Sequence, residues 1–95
     1  MANFKMRGND LLDNHSHKVA FIRGNDIFNE RSHKVASIRG NDIYDERSHK
    51  VATVKGSDIY DERSHKIASM SDVKKTIDDA MGGVSVVALW MFFVR

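Results

Sequence analysis

The chain contains no cysteine and no proline, and its 95 residues carry 15 basic against 13 acidic side chains. Without cysteine there is no disulfide framework and no thiolate metal site. Stability must therefore come from a packed core or from an interface between copies. Near balance of charge argues against the clustered basic face of a nucleic-acid-binding domain, so no nucleic-acid partner is expected. Aromatic residues are sparse, at 8%. The opening MANFKMRGND has no apolar stretch of the secretory kind, which gives the expectation of a cytoplasmic protein. At this length a single small domain is expected.

What the sequence does have is a period of 16 residues. Val19 to Lys34 reads VAFIRGNDIFNERSHK, Val35 to Lys50 reads VASIRGNDIYDERSHK, and Val51 to Lys66 reads VATVKGSDIYDERSHK. A more divergent unit, NFKMRGNDLLDNHSHK, precedes them from Asn3, and a partial unit, IAS, follows at Ile67 to Ser69. A unit this short cannot hold two helices, but it suits two short strands and two turns. Gly40-Asn41 lies between β-prone runs, and Gly at the first central position of a type II′ turn takes a positive φ without a Cβ clash. The predicted register pairs Arg39 with Asp42, Ile38 with Ile43, Ser37 with Tyr44 and Ala36 with Asp45. Gly8, Gly24 and Gly56 take the same place in the other units, beside Asp10, Asp26 and Asp58. Alternation then puts Ala36, Ile38 and Ile43 on a dry face and Val35, Ser37 and Tyr44 on the other. The second connection, Asp45 to Lys50, is polar and predicts a four- or five-residue turn.

Past the repeats, Ser69-Met70-Ser71-Asp72 has capping-box spacing. Val73, Ile77, Ala80 and Met81 follow at helical intervals. From Ala80 to Val94, 12 of 15 residues are apolar. One long C-terminal helix over 70–95 is expected, the other reading being a break at Gly82-Gly83 and a buried strand. As a helix, about 15 apolar residues span ~22 Å, short of the ~30 Å hydrocarbon core, so membrane spanning is not expected. Val87, Trp90, Met91, Phe92 and Phe93 are of types that fill cores and oligomer seams. Thin hairpins offer little surface to cover such a tail, so a homo-oligomer is expected.

The repeated G-N-D-I-Y-D…K-V-A-x-I phrase over residues 3 to 69, with its four turn glycines, resembles the bacterial "beta flower" proteins of the four-fold type. That resemblance implies a mainly β fold of four hairpins about a pseudo-four-fold axis, joined to a C-terminal apolar tail. It supplies no catalytic residues. Related repeats usually carry Gly in the second turn, where this chain has Ser48-His49.

Three columns of side chains bear chemistry. His17, His33, His49 and His65 share one repeat position, with His15 beside them, and imidazoles converging on a ring would ligate Zn²⁺, Ni²⁺ or Cu²⁺. The bland reading is solvated turn residues. Phe28, Tyr44 and Tyr60, in line with Leu12, form a stripe suited to stacking on sugars, or to packing. The aspartates, including Asp13, Asp45 and Asp61, have the composition of acid–base or Ca²⁺ sites. Repetition argues against catalysis, because an active site needs one asymmetric set of roles rather than equal copies. No cofactor motif is present, and the expectation is a non-enzymatic structural or interaction module. A ligand-binding module, or a membrane-surface protein anchored by the tail, is the alternative.

Overall fold

The computed structural model describes residues 3–80 and 83–94. Nine strands, β1 (Phe4–Arg7), β2 (Asp10–Asp13), β3 (Lys18–Arg23), β4 (Asp26–Asn29), β5 (Lys34–Arg39), β6 (Asp42–Asp45), β7 (Lys50–Lys55), β8 (Asp58–Asp61) and β9 (Lys66–Ser69), form an antiparallel meander. Helix α1 (Met70–Thr76) follows, then a two-residue strand β10 (Ile77–Asp78) that pairs in parallel with β1. Helix α2 (Val84–Leu89) runs on into a π-helical turn, Trp90–Val94. The fold is mainly β, as expected.

The first turn sets the register. Ala36, Ser37, Ile38 and Arg39 pair with Asp45, Tyr44, Ile43 and Asp42, the predicted partners. Gly40 sits at φ 62°, and Asn41 does not share its positive φ, as a type II′ turn requires. The pairings Arg7–Asp10, Arg23–Asp26 and Lys55–Asp58 recur at the other three turns.

The second turn spans four residues and is built differently. Asp45 N–H donates to His49 O at 2.9 Å, and Ser48 N–H donates to Asp45 O at 3.0 Å. Ser48 adopts φ 67°, and Ser16, Ser32 and Ser64 lie within two degrees of it. The residue that occupies this glycine position therefore carries a Cβ. Beyond the turn the register shifts, with Ile43 opposite Ala52 but Tyr44 opposite Lys50. This bulge at Val51 was not anticipated. Val35, Val51 and Ile67, expected on the far face, pack half-buried against the core.

The sheet is curled. Ten flat strands at about 4.8 Å spacing would measure ~43 Å across, whereas the longest dimension is 35 Å. Its two edge strands, β9 and β10, are joined by the seven residues of α1, about 10 Å of helix. Inside the curl, Leu11, Ile27, Ile43 and Ile59 are fully buried beside Ala20, Ala36 and Ala52. The alanines leave room for α2, which lies against β4, β5 and β6. Val87, Ala88 and Leu89 are completely enclosed there, with Val86 and Trp90 nearly so.

The single long helix is corrected. Ser69 does cap α1, its N–H donating to Asp72 Oδ2 at 3.0 Å. However, α1 ends at Thr76, because Ile77 turns extended and joins β1 opposite Phe4. An isolated helix this short is marginal, so one gained sheet partner outweighs another helical turn. Ile77 is buried in the sheet seam, while Met81 and Gly82 lie outside the described residues. The segment from Val84 is helical, so the buried-strand reading of the tail does not hold either. Val86 to Trp90 are covered within their own chain, whereas Met91, Phe93 and Val94 are half-buried and Phe92 is exposed.

Opposite effects are expected at the two turns. No atom lies within 4 Å of a Cβ built on Gly40, so Gly40→Ala should cost about 1–2 kcal/mol from backbone strain alone. Ser48→Gly should relieve that same strain and gain about 0.5 kcal/mol after the unfolded-state entropy of glycine is deducted. Thermal melts of both variants check the pair of signs.

Candidate functional site

The outer face of the sheet holds the aromatic column. Ser37 and Thr53 stand opposite Tyr44 and Tyr60, and Phe21 opposite Phe28. The two phenylalanines stack, with centroids 5.1 Å apart and planes 9° from parallel. Cations cover the rings: Arg23 lies 5.5 Å from the Phe28 centroid, Arg39 5.1 Å from Tyr44 and Lys55 5.5 Å from Tyr60. Phe28, Tyr44 and Tyr60 are half-buried. Each of these rings thus carries a cation of its own hairpin over one face.

Arg39 and Asp42 are opposite in register, but their charged ends part. While the guanidinium lies over Tyr44, the turn-flanking carboxylates reach to the following strand. Asp26 Oδ1 meets Lys34 Nζ at 3.5 Å, Asp58 Oδ1 meets Lys66 Nζ at 3.1 Å, and Asp42 Oδ1 accepts from Thr53 Oγ1 at 2.9 Å. The two ion pairs are exposed or half-exposed, of the kind worth about 0.2–1 kcal/mol each.

At the second turns, the acidic column has a defined role. Asp45 Oδ1 accepts from the backbone N–H of Arg47 and of His49, both at 2.9 Å. Asp13 and Asp61 accept from the same two positions of their own turns. Asn29 does likewise through Oδ1, at 2.9 and 3.0 Å. These bonds hold the aspartates below their ordinary value of 3.8, with the N–H of His17, His49 or His65 the largest cause. Asp72 is lowered too, chiefly by the Ser69 N–H.

The histidine column decorates this same edge, because every second turn of a meander lies at one end of its strands. His17, His33, His49 and His65 are exposed. His15 and His17 have ring centroids 6.2 Å apart, and His17 Nδ1 is 3.9 Å from Asp13 Oδ2. Among the described residues, no group of three or more histidines and carboxylates is arranged to hold a metal ion.

A feature the sequence reading missed is a cleft of about 550 Å³ between α2 and the first two hairpin tips. Met6, Ile22 and Val86 form its apolar wall, with Asn9, Asp79 and Ser85 around it. The four equivalent inner positions are Met6, Ile22, Ile38 and Val54; three are buried at 8%, 7% and 6% exposure, and Ile22 alone is only half-buried. No local signal could have shown this, since the repeat treats the four positions alike. Asp79 reaches Lys5 Nζ at 3.9 Å across an exposed surface.

Of the tail residues, Val87 and Trp90 are buried, Met91 and Phe93 half-buried, and Phe92 is exposed at 37%. Among the described residues, no helix is long and apolar enough to cross a membrane. No family model, curated protein or solved structure matches the chain.

The acidic column has a pH signature. Asp13, Asp45, Asp61 and Asp72 are depressed in the folded chain, so the stability they contribute is present above the ordinary aspartate value. It is lost as the pH falls through their lower folded values. Melting temperature should therefore drop on acidification below about pH 4. Asp45→Asn, which copies the bonding of Asn29, should melt near the parent at neutral pH and lose less on acidification. Asp45→Ala should melt lower at both. Circular-dichroism melts at neutral and acidic pH check the order.

Proposed function

We propose that this chain is a non-enzymatic, self-associating β-repeat module of the beta-flower kind, with four hairpin units about a pseudo-four-fold axis and a structural or interaction role. The observation that carries the reading is Asn29. In the column with the composition of a catalytic or Ca²⁺ site, one position holds an amide, and it makes the same two turn bonds as its aspartate equivalents. What that column needs is an acceptor oxygen, not a titratable acid. Asp26, Asp42 and Asp58 sit in ladder contacts with lysine or threonine, and the aromatic column is engaged by cations and by packing. The polar groups that repeat thus serve the repeat.

Self-association is supported by the end of the tail. The curled sheet encloses α2 as far as Trp90, but Phe92 is exposed beside half-buried Met91, Phe93 and Val94. Apolar surface of this kind, displayed on a small domain, favours contact with another protein surface. Sedimentation velocity on the full chain from micromolar to millimolar concentration tests the reading. A weight-average mass that rises above one chain is expected; a single chain at every concentration overturns it.

A further inference from the structure

We propose that the outer face of the sheet binds single-stranded nucleic acid. This goes beyond the structural role proposed above and does not rest on it. The near balance of charge in the chain is an average over unlike surfaces. Arg7, Arg23, Arg39 and Lys55 share one repeat position, and all four are exposed. Lys18, Lys34, Lys50 and Lys66 share another and are exposed as well. The carboxylates of the same face, Asp10, Asp26, Asp42 and Asp58, are half as many and only half-exposed. Among the described residues, Lys34 and Lys66 are the only two of the eight cations in ion pairs with them. The balancing acid lies elsewhere, at the second turns, which carry six carboxylates against three arginines.

The cations flank the aromatic column on both sides. Arg23, Arg39 and Lys55 lie over the rings of Phe28, Tyr44 and Tyr60. Lys34, Lys50 and Lys66 stand opposite those rings in register. Three units thus repeat one arrangement, a ring between two cations. Arg39 and Thr53, two residues apart in the repeat, both pair with Asp42. Successive arrangements are therefore offset by two strands and two residues, about 12 Å. A small anion cannot span two of them, whereas a polymer with a charge and a flat group in each unit engages all three. In single-stranded nucleic acid the phosphates meet the cations, and the bases stack on a ring or on a guanidinium held against one.

Curvature selects the form of the strand. Because α2 packs inside the curl, the outer face is convex. A duplex, stiff over about 50 nm, meets a convex face along a narrow line, but a single strand follows it. An anionic bilayer is drawn by the same charge, yet the rings here are half-buried and give it no protruding apolar anchor. Equal units also mean that no base is singled out, so the binding tolerates any sequence.

Fluorescence anisotropy of a labelled oligothymidylate titrated with the full chain is the test. Binding is expected at low salt, and a duplex of equal length should bind more weakly. The logarithm of affinity should fall with that of salt by about 0.7 per phosphate neutralised, a slope near −4 for the six flanking cations. Lys50→Glu should weaken binding at least about tenfold and flatten that slope. Arg47→Glu makes the same charge change at a second turn, off the face, and should weaken binding far less. Tyr44→Leu, which copies Leu12 of the first unit, should cost about fivefold or more with the slope unchanged, as lost stacking requires. Lys50→Glu and Arg39→Gln alter exposed side chains and keep the test open if Tyr44→Leu lowers the melting temperature. Absence of binding at low salt overturns the proposal. Equal losses for Lys50→Glu and Arg47→Glu overturn it too, since net charge alone would then suffice. So does parent-like binding by folded Tyr44→Leu together with equal competition from inorganic polyphosphate. Binding to vesicles of anionic lipid in place of the oligonucleotide would give the face to a membrane and overturn it as well. None of these outcomes bears on self-association, which sedimentation reads without nucleic acid.

Discussion

A sixteen-residue unit can build a continuous sheet only if both of its turns return the chain in a fixed register, and here one is held by backbone conformation and the other by side-chain oxygen. At Gly40 the absence of a Cβ admits φ 62°. At Asp45 an acceptor oxygen gathers two backbone N–H groups that would otherwise be unpaired on a four-residue loop. A slip of one residue would turn Ile43 outward and Tyr44 inward. Every burial described above depends on those two turns holding at each repeat, with no proline or disulfide to assist them. The serine column sets the limit of this economy: Ser16, Ser32, Ser48 and Ser64 accept a left-handed backbone because the bonds on either side of them leave no alternative.

The first turn was legible because its signal is local. Gly-Asn between β-prone runs names a turn type, the turn type names the pairs, and alternation then puts Ala36, Ile38 and Ile43 in the core. The bulge at Val51 was not legible, because it follows from how the second turn closes and not from any property of valine. The same holds for α1. Val73 and Ile77 stand four apart, which reads as one helical face, yet Ile77 belongs to a strand whose partner, Phe4, lies at the other end of the chain. Helical spacing cannot reveal a competing partner seventy residues away.

The cover of the tail was misjudged for a related reason. Counted hairpin by hairpin, the repeat exposes three or four modest apolar groups, too few to bury Val84 to Val94. Curling sums those contributions on one concave surface. The fully buried alanines at 20, 36 and 52 are part of why this works: side chains of that size let a helix approach the sheet, where three larger residues would hold it off. Self-association is therefore not needed to cover most of the tail, and the apolar surface left over is confined to its last turn.

Equal units make equal surfaces, so a repeat can hold itself together but cannot by itself single out one place on the molecule. Whatever distinguishes one hairpin from the next must come from where the repetition stops. In this chain it stops at β9, whose unit is cut short after Ser69, and the remaining residues close the sheet through α1 and β10 before entering the curl as α2. There α2 settles against β4, β5 and β6, the middle strands of the meander. Ile22 is left half-buried while Ile38 and Val54 are covered, though nothing about Ile22 itself differs from Ile38. The cleft is thus a consequence of packing a single helix against a periodic shell: one rod cannot cover equivalent walls equally. Asp79, Ser85 and the hairpin tip at Asn9 stand around the apolar wall of that cleft.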